Sequence, residues 1–126
     1  MRIGLDMVEI SRMAGCLDSA HFIERVFGAR EREELTARRF APQSAAAAFA
    51  AKEAFAKALG TGIRGFSLTE VELLHDELGA PYLALSGRAQ RMAQTRGLTQ
   101  FCVSLTHTKE LAAAVVVALP ETGETR

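Results

Sequence analysis

An α+β fold, with a mostly antiparallel sheet and one long central helix, is the architecture this sequence predicts. Three features carry that prediction: a helix-forming run from Pro42 to Gly60, a strand pattern at Ile3–Ile10, and paired strand patterns at Leu68–Leu85 and Phe101–Leu119. Their order along the chain is β, helices, ββ, α, ββ, which keeps helices and hairpins apart as α+β domains do. The 126 residues suffice for a single domain with a genuine core, set at 1–119 and followed by a polar tail at 120–126.

Each element has a local cause. Ile3 to Ile10 reads as the first strand, and Ser11 as the N-cap of a helix reaching about Leu17. His21–Phe27 suggests a short helical turn, and Glu31–Phe40 a charged, exposed helix. Pro42 suits the first position of the long helix, and Gly60 its end. Gly60, Gly62 and Gly65 then make a loop whose backbone can approach a ligand closely. Leu68–His75 and Pro81–Leu85 are strands joined by the Asp76–Gly79 turn. Gly87–Arg96 is a helix, and Phe101–Thr106 with Leu111–Leu119 a closing hairpin.

Composition narrows the function. Lys+Arg and Asp+Glu both number 15, so no global field favours nucleic acid or an anionic membrane. Seven Phe and one Tyr offer no stacking platform for single strands. The longest apolar run, Leu111–Leu119, has nine residues, too few to span a bilayer. Cys16 and Cys102 match no metal spacing and read as small buried hydrophobes in a reducing compartment. With a strand at the start rather than a signal core, a soluble cytoplasmic protein is expected.

The long helix holds the main anomaly. Lys52, Glu53 and Lys57 interrupt an alanine-rich run, and charge inside an apolar run demands a partner. At about 100° per residue, Ala47, Ala51, Ala54, Phe55 and Ala58 share one side, while Glu53 lies opposite with Phe49, Ala56 and Gly60. By itself Glu53 reads as the partner of Lys57 at i+4, a surface pair worth about 0.2–0.5 kcal/mol. Asp6 is a second anomaly, since strands disfavour aspartate. Alternation places it on one face with Gly4 and Val8, where Gly4 makes room beside it. Asp6 and Glu53 together would suit Mg²⁺, which takes one or two carboxylates and completes its shell with water and substrate phosphates. Ser104, Thr106 and His107, at a strand end, could hold phosphate oxygens, although ordinary turn chemistry also accounts for them.

Taken as an ordered set, four segments resemble the holo-(acyl-carrier-protein) synthase family of phosphopantetheinyl transferases. They are Gly4–Ile10, Phe49–Gly60 with Lys52-Glu53-Ala54, Asp76–Pro81, and Ser104–His107, and the likeness spans about Ile3 to Val117. The resemblance implies a phosphopantetheinyl transferase-like domain that moves 4′-phosphopantetheine from coenzyme A to a serine of an apo acyl carrier protein. It implies Mg²⁺ at Asp6 and Glu53, and phosphate against Lys57 and the Gly60-Thr61-Gly62 loop. Pro81 would lie at the adenine end, and Ser104 and His107 would hold the nucleotide from an adjoining subunit of a homotrimer. Glu53 is the expected base, with His107 behind it, and Arg12 and Arg25 the expected patch for an acidic carrier. Family members often carry arginine just before the phenylalanine of the long helix. Here that position is Ala48, which leaves weaker coenzyme A binding, or replacement by Arg38, Arg39 or Arg64, as open alternatives. A Mg²⁺-dependent nucleotide pyrophosphate hydrolase and a non-catalytic coenzyme A-binding oligomer are the competing expectations. The carrier's type, fatty-acid or polyketide, is not specified by these residues.

Overall fold

Alanine dominates the centre of the chain, and it lets one helix pass through the protein with neighbouring backbone close to its buried sides. The computed structural model describes residues 1–121. Its elements are β1 (Arg2–Glu9), α1 (Ile10–Cys16), α2 (Ala20–Val26), α3 (Ala29–Ala37), α4 (Pro42–Leu59), β2 (Val71–His75), β3 (Pro81–Leu85), α5 (Gly87–Thr95), β4 (Leu98–His107) and β5 (Leu111–Pro120). Leu68–Glu70 is a single 3₁₀ turn before β2, not the strand beginning that the sequence predicts. The strands are antiparallel but divide into two sheets, β1-β5-β4 and the β2-β3 hairpin. The expected α+β fold with a long central helix is the one observed.

Helix α4 lies across the inner face of the larger sheet. Buried alanines on three sides of α4 meet Gly4 of β1 and Ala112, Ala114, Val116 and Ala118 of β5. Phe55 anchors this layer, edge-on to Phe66 and tilted against Phe101. Gly60 ends the helix in the left-handed region, at φ 85°. Gly4 is where strand and helix touch. A Cβ there would stand 2.7 Å from the Ala58 amide nitrogen and closer still to the Ala54 carbonyl. The room beside Asp6 is therefore filled by helix backbone rather than left for a ligand, which corrects the expectation for Gly4. Gly4→Ala is expected to cost about 1–3 kcal/mol by overpacking, read as a lower midpoint in urea.

Smaller corrections have local reasons. Helix α1 begins one residue before Ser11, with Glu9 at the cap and no side-chain cap bond. Helix α2 is instead capped by Ser19, whose hydroxyl accepts from the Phe22 amide at 3.2 Å. Helix α3 starts earlier than Glu31, and Glu31 and Leu35 are buried, so it is not the exposed helix expected. Cys102 is exposed on the outer face of β4 and Cys16 only half-buried, so neither is a core hydrophobe. Strand β5 runs through Pro120, one residue into the expected tail, and residues 122–126 of that tail lie outside the described residues.

The charge inside α4 finds its partner across the core. Lys52 is fully buried, and its ammonium donates to Glu31 Oε1, to the Leu68 carbonyl at 3.0 Å and to the Val71 carbonyl. Glu31 also accepts from the amides of Gly28 at 3.1 Å and Leu73 at 2.9 Å. Beside it, Glu72 caps the start of α3 by accepting from the amides of Arg30 and Glu31 at 2.9 and 3.0 Å. Every donor of Lys52 is satisfied, as burial of an ammonium requires.

Candidate active site

One stripe of α4 escapes burial. Phe49 and Glu53 are half-buried and Lys57 is exposed, a spacing of four that keeps them on one edge. Strand β1 presents Asp6 to this edge, because Gly4 brings strand and helix into backbone contact one step away. Lys57 Nζ donates to Asp6 Oδ1 and to the Leu5 carbonyl, each at 3.0 Å. The lysine thus pairs with the strand aspartate rather than with Glu53, as i,i+4 spacing alone suggests. Its side chain is 53% exposed against 18% for Asp6, so the pair is anchored on the aspartate side and open on the other.

Glu53 is the uncompensated member. Burial pushes its carboxyl above the ordinary carboxylate range, the negative charge of Asp6 pushes the same way, and Lys57 opposes them. Two carboxylates on separate elements, with the charge of Asp6 raising the proton affinity of Glu53, are a donor set suited to one hard cation. Mg²⁺ fits such a set because it asks few protein oxygens and keeps positions for water and phosphate. Among the described residues no group of three or more His, Cys, Asp or Glu side chains could hold a metal ion. Asp6→Asn is expected to lower the Glu53 carboxyl titration in carbon-detected NMR of the metal-free protein. An unmoved titration would mean that the two acids do not share a site.

Beyond Lys57 the helix opens into the glycine loop. Gly60 and Gly62 have φ of 85° and 65°, and Thr61 donates its hydroxyl to the Gly62 carbonyl at 2.9 Å. On the other side of Asp6 lies a groove of about 390 Å³ floored by Met13, Phe22 and Phe49 and edged by Arg12. A second hollow continues it past Phe22 and Phe49 to Arg25. Arg12 and Arg25, expected as a patch from the resemblance, line these two hollows, but the hollows themselves were not legible in the sequence.

The remaining expected residues do not join Asp6 within one chain. Ser104 is exposed on the outer face of β4, opposite Val115. His107, the last residue of β4, lines a different hollow with Arg38, Gln43, Ser44, His75 and Thr106. Pro81 opens β3 opposite His75, away from α4's open stripe. Thr108 holds the turn after β4: its hydroxyl accepts from the amides of Glu110 and Leu111.

A strand aspartate, a helix glutamate and a lysine beside a glycine loop make a site suited to phosphate groups held with a hard cation. The wider likeness makes the class specific. Residues 2–116 match the family model of the 4′-phosphopantetheinyl transferase superfamily. Holo-(acyl-carrier-protein) synthase of Caldanaerobacter subterraneus is 38% identical over 118 residues, 93% of each chain. That of Treponema denticola is 42% identical over 116 residues, 91% of this chain and 94% of its own. Among solved structures, the synthase of Neisseria meningitidis superposes with a TM-score of 0.87 at 31% identity, covering 94% of this chain and 97% of that one. The Helicobacter pylori synthase in complex with coenzyme A gives 0.81 at 29%, covering 93% and 99%. The chain belongs to the 4′-phosphopantetheinyl transferase superfamily. Among the described residues no helix is long and apolar enough to cross a membrane.

Proposed function

We infer that this protein transfers 4′-phosphopantetheine from coenzyme A to a serine of an apo acyl carrier protein, releasing adenosine 3′,5′-bisphosphate. The convergence of Asp6, Glu53 and Lys57 where β1 meets α4 carries that reading. The serine oxygen attacks the pantetheine-side phosphorus of the pyrophosphate, a new P–O bond forms, and the bond to the bridging oxygen breaks. Mg²⁺ held by Asp6 and Glu53 would supply charge neutralisation on the diphosphate. Lys57, exposed and free to swing from Asp6, would meet the phosphate oxygens. The backbone at Gly60, Thr61 and Gly62 would hold the same diphosphate. Glu53 would take the serine proton as general base.

An acidic carrier fits the groove beyond Asp6. Arg12 and Arg25 stand at its two ends, and Met13, Phe22 and Phe49 give an apolar floor between them. Charges at such a rim set on-rate and salt dependence, and the floor sets the lifetime of the complex.

A homotrimer is part of the proposal. Ile3, Leu5 and Met7 of β1 are 57%, 60% and 63% exposed on the outer face of the sheet, beside Val115 and Val117 of β5. A contiguous apolar face of this kind is uncommon on a monomer. Covering it with further copies would also carry Ser104 and His107 to a neighbour's Asp6 and Glu53, which they do not reach in their own chain. Leu5→Glu is expected to dissociate the assembly in light scattering and to abolish transfer; a trimer that survives would place the interface elsewhere. A cytoplasmic setting, in fatty-acid or related carrier metabolism, follows from the same reading.

The test is to incubate the protein with coenzyme A and Mg²⁺, with and without apo carrier, and to weigh the carrier. Gain of one phosphopantetheine moiety supports the transferase. Cleavage of coenzyme A without carrier would select a hydrolase, and binding without turnover a coenzyme A-binding module.

A further inference from the structure

The charges of this neutral chain are unevenly placed. Between Glu77 and Glu110 the sequence holds no acidic residue, while Arg88, Arg91, Arg96 and Lys109 fall within that stretch. Arg88 and Arg91 belong to α5, and Arg96 is its C-cap. Around that helix the buried Ala89 and Ala93 face the core, and Arg88 and Arg91 stand on the opposite, exposed side. None of the ion pairs among the described residues includes either arginine.

The acid beside them is already engaged. Glu70, at the end of the 3₁₀ turn, accepts from the amides of Arg88 at 3.2 Å and Ala89 at 3.3 Å. It accepts from the Ser67 amide at 3.1 Å as well. This carboxylate supplies the cap that the Ser86 side chain does not, and it ties the start of α5 to the turn. The Arg88 charge acts on Glu70 without pairing with it.

The surroundings of this ridge connect it to the site. Leu68, in the same 3₁₀ turn as Glu70, lines the hollow that holds Phe22, Arg25 and Phe49. Helices α2 and α5 both pack on that turn. Met92 of α5 meets the glycine loop, since a Cβ on Gly65 would stand 3.3 Å from its sulfur. The ridge therefore adjoins both the groove edged by Arg12 and Arg25 and the loop that follows Lys57.

We propose that Arg88 and Arg91 form a second docking station for an acidic carrier protein, continuing the rim begun by Arg12 and Arg25. The inference deepens the transferase reading and rests on it. With a formal net charge of zero the chain has no global field to draw in an acidic partner, so attraction comes from local patches. Two patches on either side of the apolar floor of Phe22, Phe49 and Leu68 also fix the carrier's orientation, where a single patch would let it pivot. Exposed charges of this kind act on encounter rate and salt dependence.

The experiment compares the parent with Arg88→Gln/Arg91→Gln and Arg88→Lys/Arg91→Lys. Transfer rates are measured against apo carrier and against coenzyme A, at low and high salt. The glutamine pair is expected to lose about tenfold in kcat/KM for the carrier at low salt and little at high salt. Its kcat and its KM for coenzyme A should not change, and the lysine pair should match the parent. An unchanged carrier KM, an equal rise in the KM for coenzyme A, or an equal loss in the lysine pair would overturn the assignment. Anisotropy of a labelled apo carrier gives the association rate without turnover. If the parent transfers nothing but the glutamine pair binds carrier about tenfold more slowly, the transferase reading fails and the ridge stands. If the parent transfers and both bind at one rate, the ridge alone is refuted.

Discussion

Glu53→Gln is expected to lower carrier modification by about 10³-fold while the protein folds normally. The side chain is close in shape, so α4 keeps its packing; what disappears is one anionic oxygen for the cation and one acceptor for the serine proton. The same change should leave the metal-free protein as stable or slightly more so at neutral pH. Glu53 holds its proton more tightly in the folded chain than in the unfolded one, because burial first, and Asp6 second, disfavour its charge. Its contribution to stability is therefore complete below the ordinary carboxylate pKa and lost as pH rises through the folded value. The glutamine variant does not suffer that loss, so its advantage should vanish in acid and appear above the carboxylate range. Thermal melts across that pH window check the sign. A melting temperature that drops at neutral pH would make Glu53 a structural residue, and near-normal turnover would remove it from the mechanism.

Lys52→Met is expected to have the largest effect on the fold. Removing the cation leaves Glu31 buried beside nothing that neutralises it, and breaking such a pair costs about 3–5 kcal/mol. That is a large part of the roughly 5–15 kcal/mol by which domains of this kind are stable. Replacing both partners with apolar side chains often recovers buried ion pairs, but recovery should be poor here. The pair also satisfies the amides of Gly28 and Leu73 and the carbonyl of Val71, all of which would be orphaned. Each orphan costs about 1–3 kcal/mol. Urea unfolding of Lys52→Met and of Lys52→Met with Glu31→Leu decides the matter. A single variant within 1 kcal/mol of the parent, a bound well below the broken-pair cost, would show that the network contributes little.

Much of the fold was legible because its signals are local. Pro42 and Gly60 bound α4 as helix-end chemistry dictates, and Asp76 and Gly79 mark the tight turn between β2 and β3. Strand boundaries near Leu68 and the N-cap at Ser11 were misplaced, since a 3₁₀ turn and a helix start are chosen by contacts with α2 and β1 rather than by sequence period. The exposed reading of α3 failed for a plainer reason. A glutamate in a charged run looks solvated unless its lysine, 21 positions away, is known to arrive beside it.

The chemistry was written in residue types: Asp6 stands in a strand, where aspartate is disfavoured, and Glu53 and Lys57 interrupt an alanine-rich helix. Their assembly was not. Whether Lys57 turns to Glu53 or to Asp6 depends on the distance between β1 and α4, which Gly4 sets by backbone contact. The outward apolar face of β1 likewise arises from which side of the sheet α4 covers. Periodicity along one chain records that a strand has two faces and a helix one open edge. Only packing in three dimensions decides what lies against each, because contact energy falls off within a few ångströms of space however far apart the residues stand in sequence.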